Sequence, residues 1–337
     1  MNICIVPVNI NSIGGPSSFV QKISKGLHDK KIAVKYNLDD FPYNALLIIN
    51  GTREFHQLVR IKKKGIRIVQ RLGVSNLARC YLSSGLRDFF IAKARNIIMQ
   101  SIKFYFADHI VYQSKFARNW WNEKSGKEKV PSSVIYNGVD LNLFNPKGPK
   151  YDSIADICII SVEGTQGVDP YNIAIQLAQG LERKGLSVEL LMLGNLRKNF
   201  NLYFSKHSFV KYMGVIPNSQ LPYYYRGATF YIFTDIISAA CPNSVIEALA
   251  CGTPILGYNV GVLPEMLNGY GGKCVECYGN PYHGESPGNL EGLISAAIDI
   301  FNNWEHFHRT ARELAEERFD VTKMVDEYLN VLLGSRI

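Results

Sequence analysis

One three-part pattern occurs twice in this chain: a short β-rich run, a glycine-bearing loop and a segment of helical periodicity. The first copy is residues 3–8, Gly14-Gly15 and residues 18–27; the second is residues 157–162, residues 164–167 and residues 171–181. A strand that turns through glycines into a helix opens a parallel βαβ crossover, and strand and helix alternate through both halves. Two doubly wound α/β domains are therefore expected, with ligands at the carboxyl ends of their strands. The length of 337 residues also exceeds what one core usually supports. Lys147-Gly148-Pro149-Lys150-Tyr151 reads as the linker, because Gly and Pro punctuate a change of charge there. The expected domains are residues 1–149 and 150–319, with a terminal helix at about 320–337.

That change of charge is large. Residues 1–150 hold 24 Lys and Arg against 9 Asp and Glu, a net of +15, whereas residues 151–337 carry a net of −7. The excess is concentrated between Arg53 and Lys103, and from residue 84 to 106 apolar Leu86, Phe90, Ile97 and Ile102 alternate with Arg87, Lys93, Arg95 and Lys103. A basic amphipathic helix of this kind can lie on an anionic membrane surface, and it can equally be a core-facing helix with a solvated charged side. No zinc-finger spacing or RNP-type aromatic motif accompanies the basic residues, so nucleic acid is not expected as a partner. Apolar content of 47% with 20% charged residues fits a soluble globular protein. No apolar run reaches the roughly 18 residues that span a bilayer, and the apolar amino terminus lacks the basic stretch of a signal peptide. Seven cysteines, an odd number spread across expected strands and helices, point to reduced thiols and a cytoplasmic setting. Cys274 and Cys277 form a lone CxxC without a second metal-ligand pair.

The segment from Thr234 to Leu267 carries most of the chemistry. It reads as strand, polar loop, helix, Gly-Thr-Pro turn, strand and a second helix. Asn243, Ser244 and Val245 then fall at a helix N-terminus just beyond a strand, where backbone N–H groups and the helix dipole favour an anion such as a diphosphate. Glu247, one turn further in, can accept hydrogen bonds from vicinal hydroxyls such as those of a ribose. Ser244 and Glu247 also fit a capping box that binds nothing. In the first half, Gly14 and Gly15 would let backbone approach a phosphate or sugar, or would simply form a tight turn.

The wider strings carry a family resemblance. CPNSVIEALACGTPIL (residues 241–256) with GVLPEML (residues 261–267) resembles the nucleotide-sugar site of glycosyltransferase family 4, retaining enzymes of the GT-B fold, two Rossmann-like domains facing a cleft. Four more matches fall in the family's order: CIVPVNINSIGGPSSFVQKISKGL (residues 4–27), FADHIVYQSKFARNWW (residues 106–121), VIYNGVDLNLFNP (residues 134–146) and VKYMGVIPNSQLPYYYRGATFYIFTD (residues 210–235). The resemblance implies that Gly214-Val215-Ile216 holds the base and that Gly164-Thr165-Gln166 lies at the diphosphate. It also implies that the terminal helix returns to the first domain. Glu247 matches the second member of the family's Glu-x7-Glu pair.

Departures accompany the matches. The first Glu, which in relatives contacts the transferred sugar, is Ala239. Gln166 stands where relatives place a diphosphate-binding Lys, and no Arg precedes it, so either another cation such as Arg197 or Lys198 reaches the phosphates or leaving-group stabilisation is reduced. Where many relatives carry a His after the fourth strand, this chain has Gln70 and Arg71. Arg71 is a candidate for contact with the diphosphate or an acidic acceptor, or one more surface Arg of the basic half.

The resemblance implies a retaining transfer from a UDP-sugar, UDP-glucose first, to a polysaccharide or lipid-linked saccharide acceptor. Arg71 and Asn243 are its candidate catalytic residues. No Asp-x-Asp motif is present, so metal independence and no cofactor beyond the sugar nucleotide are expected. Two alternatives stay open: a catalytically weakened nucleotide-sugar binding protein, motivated by Ala239 and Gln166, and a GT-B sugar-nucleotide epimerase.

Overall fold

The computed structural model describes residues 1–8, 14–74, 86–163, 170–194, 206–235, 239–283 and 285–334. It divides into two compact units, Met1–Gly138 with Val321–Ile337, and Val139–Asp320. The division falls before the expected linker because residues 139–150 pack within the second unit. There the Val139 N–H donates to the Phe319 carbonyl at 2.8 Å, and Arg226 donates to the carbonyls of Asn145 and Pro149.

In the first unit the elements run β1 (Asn2–Val6), α1 (Gly15–Asp29), β2 (Ala33–Lys35), β3 (Ala45–Ile49), α2 (Phe55–Lys63), β4 (Arg67–Leu72), α3 (Leu86–Tyr105), β5 (His109–Tyr112), α4 (Lys115–Ser125) and β6 (Ser132–Val134). The strands form a parallel sheet of order β2-β1-β3-β4-β5-β6. Strand periodicity divides each apolar run between two faces. Ile3, Ile5, Ala45, Leu47 and Ile49 join α1 in one core, while Cys4, Val6, Leu46 and Ile48 join Leu58, Ile61 and Ile102 in the other.

The second unit contains β7 (Ile157–Glu163), α5 (Pro170–Arg183), β8 (Val188–Gly194), β9 (Val210–Gly214), α6 (Leu221–Gly227), β10 (Phe230–Phe233), α7 (Asn243–Ala250), β11 (Ile255–Tyr258), α8 (Leu263–Leu267), β12 (Gly272–Val275), α9 (Leu290–Asn302) and α10 (Trp304–Arg318). Its parallel sheet has the order β12-β11-β10-β7-β8-β9. The last helix, α11 (Val321–Leu333), belongs to the first unit. Its Met324, Val325, Tyr328, Val331 and Leu332 fill the core that α1 lines.

Both strand orders reverse direction once, at β1/β3 and at β7/β10. Such switch points open a crevice at the carboxyl ends of the strands. Gly14-Gly15 follows β1, and α7 follows β10.

The basic helix separates into two sides. Ala92, Met99 and Ile102 are buried, and Ile98 and Phe106 pack on the core, whereas Leu86, Phe90 and Ile97 stay 69, 63 and 62% exposed. Lys103, read as part of the charged side, is buried and donates to Ser125 Oγ and the Gly126 carbonyl. No helix among the described residues is long and apolar enough to cross a membrane.

Candidate active site

The site in the second unit is built around α7. This helix is short and apolar, with Val245, Ile246, Ala248, Leu249 and Ala250 buried against the sheet, so packing rather than propensity holds it. Its N-cap is Pro242 in an extended conformation with no side-chain cap, and no acidic residue lies in its first turn. The first turn, Asn243 to Val245, thus keeps the electrostatic character that favours an anion. The capping box is overturned, because Ser244 lies inside the helix and its Oγ sits 3.0 Å from the Tyr231 hydroxyl.

Glu247 is 3% exposed. A buried carboxylate needs hydrogen-bond donors, and the side-chain amide of Asn218 supplies one to Oε1 at 3.3 Å. Its charge is felt nearby: burial first, and then Glu247, push the enclosed Tyr225 hydroxyl well above the usual range for tyrosine. Asn218 opens the single 3-10 turn that follows β9. This bond therefore joins two segments singled out separately, the Gly214-Val215-Ile216 stretch and α7.

At that strand end Gly214 has φ +70°, the left-handed region that favours glycine. No heavy atom would lie within 4 Å of a Cβ there, so the position is open. Val215 is exposed and Ile216 half-buried. Ala239 is half-buried, and its methyl group offers no hydrogen bond. Gly164, Thr165 and Gln166, with Arg197 and Lys198, lie outside the described residues.

In the first unit Gly14 caps α1 with φ +147°, and Cβ atoms on Gly14 and Gly15 would meet nothing within 4 Å. Gly14 is thus the cap and Gly15 the first residue of α1, and only Gly14 would be strained as another residue. Arg71 is no surface cation. It is 1% exposed on β4, stacks 3.8 Å above the Phe19 ring, and donates from Nη2 to Asn137 Oδ1 at 2.7 Å. Gln70, on the opposite face of the strand, donates to the carbonyls of Asn50 and Met99.

Three contributors escaped the sequence reading. Asn218 and Asn137 lie inside two of the matched strings, where nothing in the local sequence sets either apart. Tyr231 carried the one available signal, a polar tip in the otherwise apolar strand Phe230–Phe233, which demands a buried partner.

Residues 156–313 match the family model described as "Glycosyl transferases group 1". The second unit is a glycosyl transferases group 1 domain. The glycosyltransferase domain thus contains α7, Glu247, Asn218 and Tyr231. A 68-residue stretch is 29% identical to the O-antigen chain mannosyltransferase B of Escherichia coli; it covers 20% of this chain and 17% of that protein. Among solved structures, a sucrose-phosphate synthase from Thermosynechococcus elongatus aligns over 99% of this chain and 100% of its own, with 14% identity and a TM-score of 0.73. Anabaena HepE in complex with UDP and glucose aligns over 99% and 100%, with 14% identity and a TM-score of 0.69. The TarM protein of S. aureus, solved with UDP, aligns over 88% of this chain and 57% of its own, with 14% identity and a TM-score of 0.65. The fold is GT-B.

Proposed function

We propose that this chain is a retaining, metal-independent glycosyltransferase that moves a sugar from a UDP-sugar, with UDP-glucose the first candidate, to a polysaccharide or lipid-linked saccharide. The observation that carries the donor site is the buried Glu247 carboxylate, oriented by Asn218, one turn inside the first turn of α7. Glu247 accepts hydrogen bonds from the ribose hydroxyls, and the first turn of α7 faces the diphosphate. Uridine is favoured as the base because HepE was solved with UDP and with UDP-glucose. The E. coli relative, by its name, acts on O-antigen chains, which supports a polysaccharide acceptor.

Cleaving the anomeric C–O bond places negative charge on the departing diphosphate and oxocarbenium character on the sugar. The first turn of α7, with Asn243 and Ser244, stabilises the former by backbone N–H groups already fixed in place. The acceptor hydroxyl attacks from the face the diphosphate leaves and passes its proton to a diphosphate oxygen. In the first unit, Arg71 acts from within the core by holding Asn137 and α1. The exposed side of α3, with Leu86, Phe90 and Ile97 among Arg87, Lys93 and Arg95, docks on an anionic lipid surface. The basic last turn of α2 adjoins it through Lys62, which donates to the carbonyls of Tyr105 and Phe106.

Ala239 favours a second reading, a nucleotide-sugar binding protein with little turnover. Calorimetric titration of UDP, GDP and ADP in EDTA, followed by acceptor-dependent UDP release from UDP-glucose, decides between them. Preferential UDP binding with acceptor-dependent release supports the transferase; binding without release supports the second reading, and no nucleotide binding defeats both.

A further inference from the structure

Tyr231 is 1% exposed in the middle of β10, among the buried apolar side chains of Phe230, Ile232 and Phe233. Phenylalanine would fill this place without bringing a hydroxyl into the core. The hydroxyl lies 3.2 Å from the Val162 carbonyl, near the carboxyl end of β7, and 3.0 Å from Ser244 Oγ in the first turn of α7. A carbonyl only accepts and a phenol carries one proton, so both contacts are satisfied when Tyr231 donates to Val162 and Ser244 donates to Tyr231. The two elements so tied flank the β7/β10 switch point. β7 leads into Gly164-Thr165-Gln166, a stretch without charge.

We infer that Tyr231 is a positioning residue for diphosphate binding, acting through Ser244 and Val162, an inference that rests on the donor site proposed above. Charge-assisted hydrogen bonds tolerate some misplacement because the charge still attracts at a distance. A site that depends on backbone N–H groups and neutral donors needs them fixed in place beforehand. Tyr231 fixes the first turn of α7 against β7. Turning the Ser244 proton inward also leaves the backbone N–H groups of that turn, not the serine hydroxyl, to donate to the phosphate.

The test is Tyr231→Phe, which keeps the ring and removes the hydroxyl, with Ser244→Ala and the double variant. Binding of UDP is read by calorimetry and binding of uridine by NMR titration, which reaches millimolar affinities. The expected result is a loss of about five- to tenfold for UDP in each single variant, with uridine within about twofold of wild type and no further loss in the double variant. Unchanged UDP binding by Tyr231→Phe overturns the inference, as does equal weakening of UDP and uridine. A loss confined to Ser244→Ala also overturns it, because Ser244 would then contact the phosphate itself. Wild type that binds no UDP defeats the donor site and this inference together, whereas failure of the variants alone leaves the donor site standing.

Discussion

The side-chain amide of Asn218 donates to Glu247 Oε1 at 3.3 Å, linking the turn after β9 to the second turn of α7. Glu247 thus has a hydrogen-bond donor in place before any ligand arrives. Glu247→Ala should weaken UDP binding by about 1.5–3 kcal/mol, roughly ten- to a hundredfold or somewhat more. Asn218→Ala should weaken it by about 0.5–1.5 kcal/mol. Both losses should vanish with 2′,3′-dideoxy-UDP, measured in the same calorimeter. Losses that persist without the ribose hydroxyls would show that Glu247 supports the fold only.

Arg71 is buried with a ring on one side and an amide on the other. Arg71→Lys removes the planar fork that serves both contacts and should destabilise the first unit by about 1–3 kcal/mol. Arg71→Ala, which also leaves a cavity and removes the contact to Asn137, should cost about 3–5 kcal/mol. Urea unfolding followed by tryptophan fluorescence measures both. A substitution without effect on the midpoint would contradict the buried placement.

His109 makes stability depend on pH. Burial, and then the nearby Arg67, lower its pKa to about 4, and its Nε2 lies 2.9 Å from Ser133 Oγ. The unfolded chain, with an ordinary histidine, binds the proton first as pH falls below about 6.5, so stability rises with pH between about 4 and 6.5. The contribution lost across that window is about 3 kcal/mol. Thermal unfolding of His109→Gln should show a flatter dependence between pH 7 and pH 5 than wild type. Parallel curves would remove His109 as the cause.

Gly138 meets the start of α11. A Cβ there would lie 2.5 Å from Val321 Cα and 3.0 Å from Val321 N. Backbone cannot move aside as a side chain can, so Gly138→Ala should destabilise by about 1–3 kcal/mol. Reduced thermal stability, with greater protease cleavage near residue 321, is the expected signature. Wild-type behaviour would mean that α11 shifts without cost.

Lipid docking through α3 predicts co-sedimentation with vesicles of phosphatidylglycerol and phosphatidylcholine, but not with phosphatidylcholine alone. Raising salt should weaken it. Phe90→Glu with Ile97→Glu should reduce binding on the order of tenfold or more, with unchanged unfolding because both side chains are exposed. Equal binding by wild type and variant would assign the face to some other purpose.

Much of this architecture is legible as periodicity. β3 is continuously apolar because both faces of its sheet are covered, and α11 shows its buried stripe at Met324, Val325, Tyr328, Val331 and Leu332. What periodicity cannot convey is which distant group a polar side chain meets. Arg71 sits in a lysine-rich half and reads either as a ligand contact or as one more surface cation, yet Phe19 and Asn137 enclose it. Ser244 with Glu247 reads as a cap, yet the helix begins earlier, at Asn243, and Tyr231 and Asn218 engage the two side chains. Local spacing defined both motifs, and partners far along the chain decided what they do.

The placement of α11 also has a consequence for biosynthesis. A chain emerging from the ribosome holds all of residues 139–320 before it has made 321–333, so the glycosyltransferase domain can fold while the first unit still lacks a wall. Until α11 arrives, Phe19, Ile23 and Val69 have no Tyr328 or Val325 over them. The first unit is thereby sealed only after the unit that follows it in the chain has been made, and its nascent state would call on chaperones.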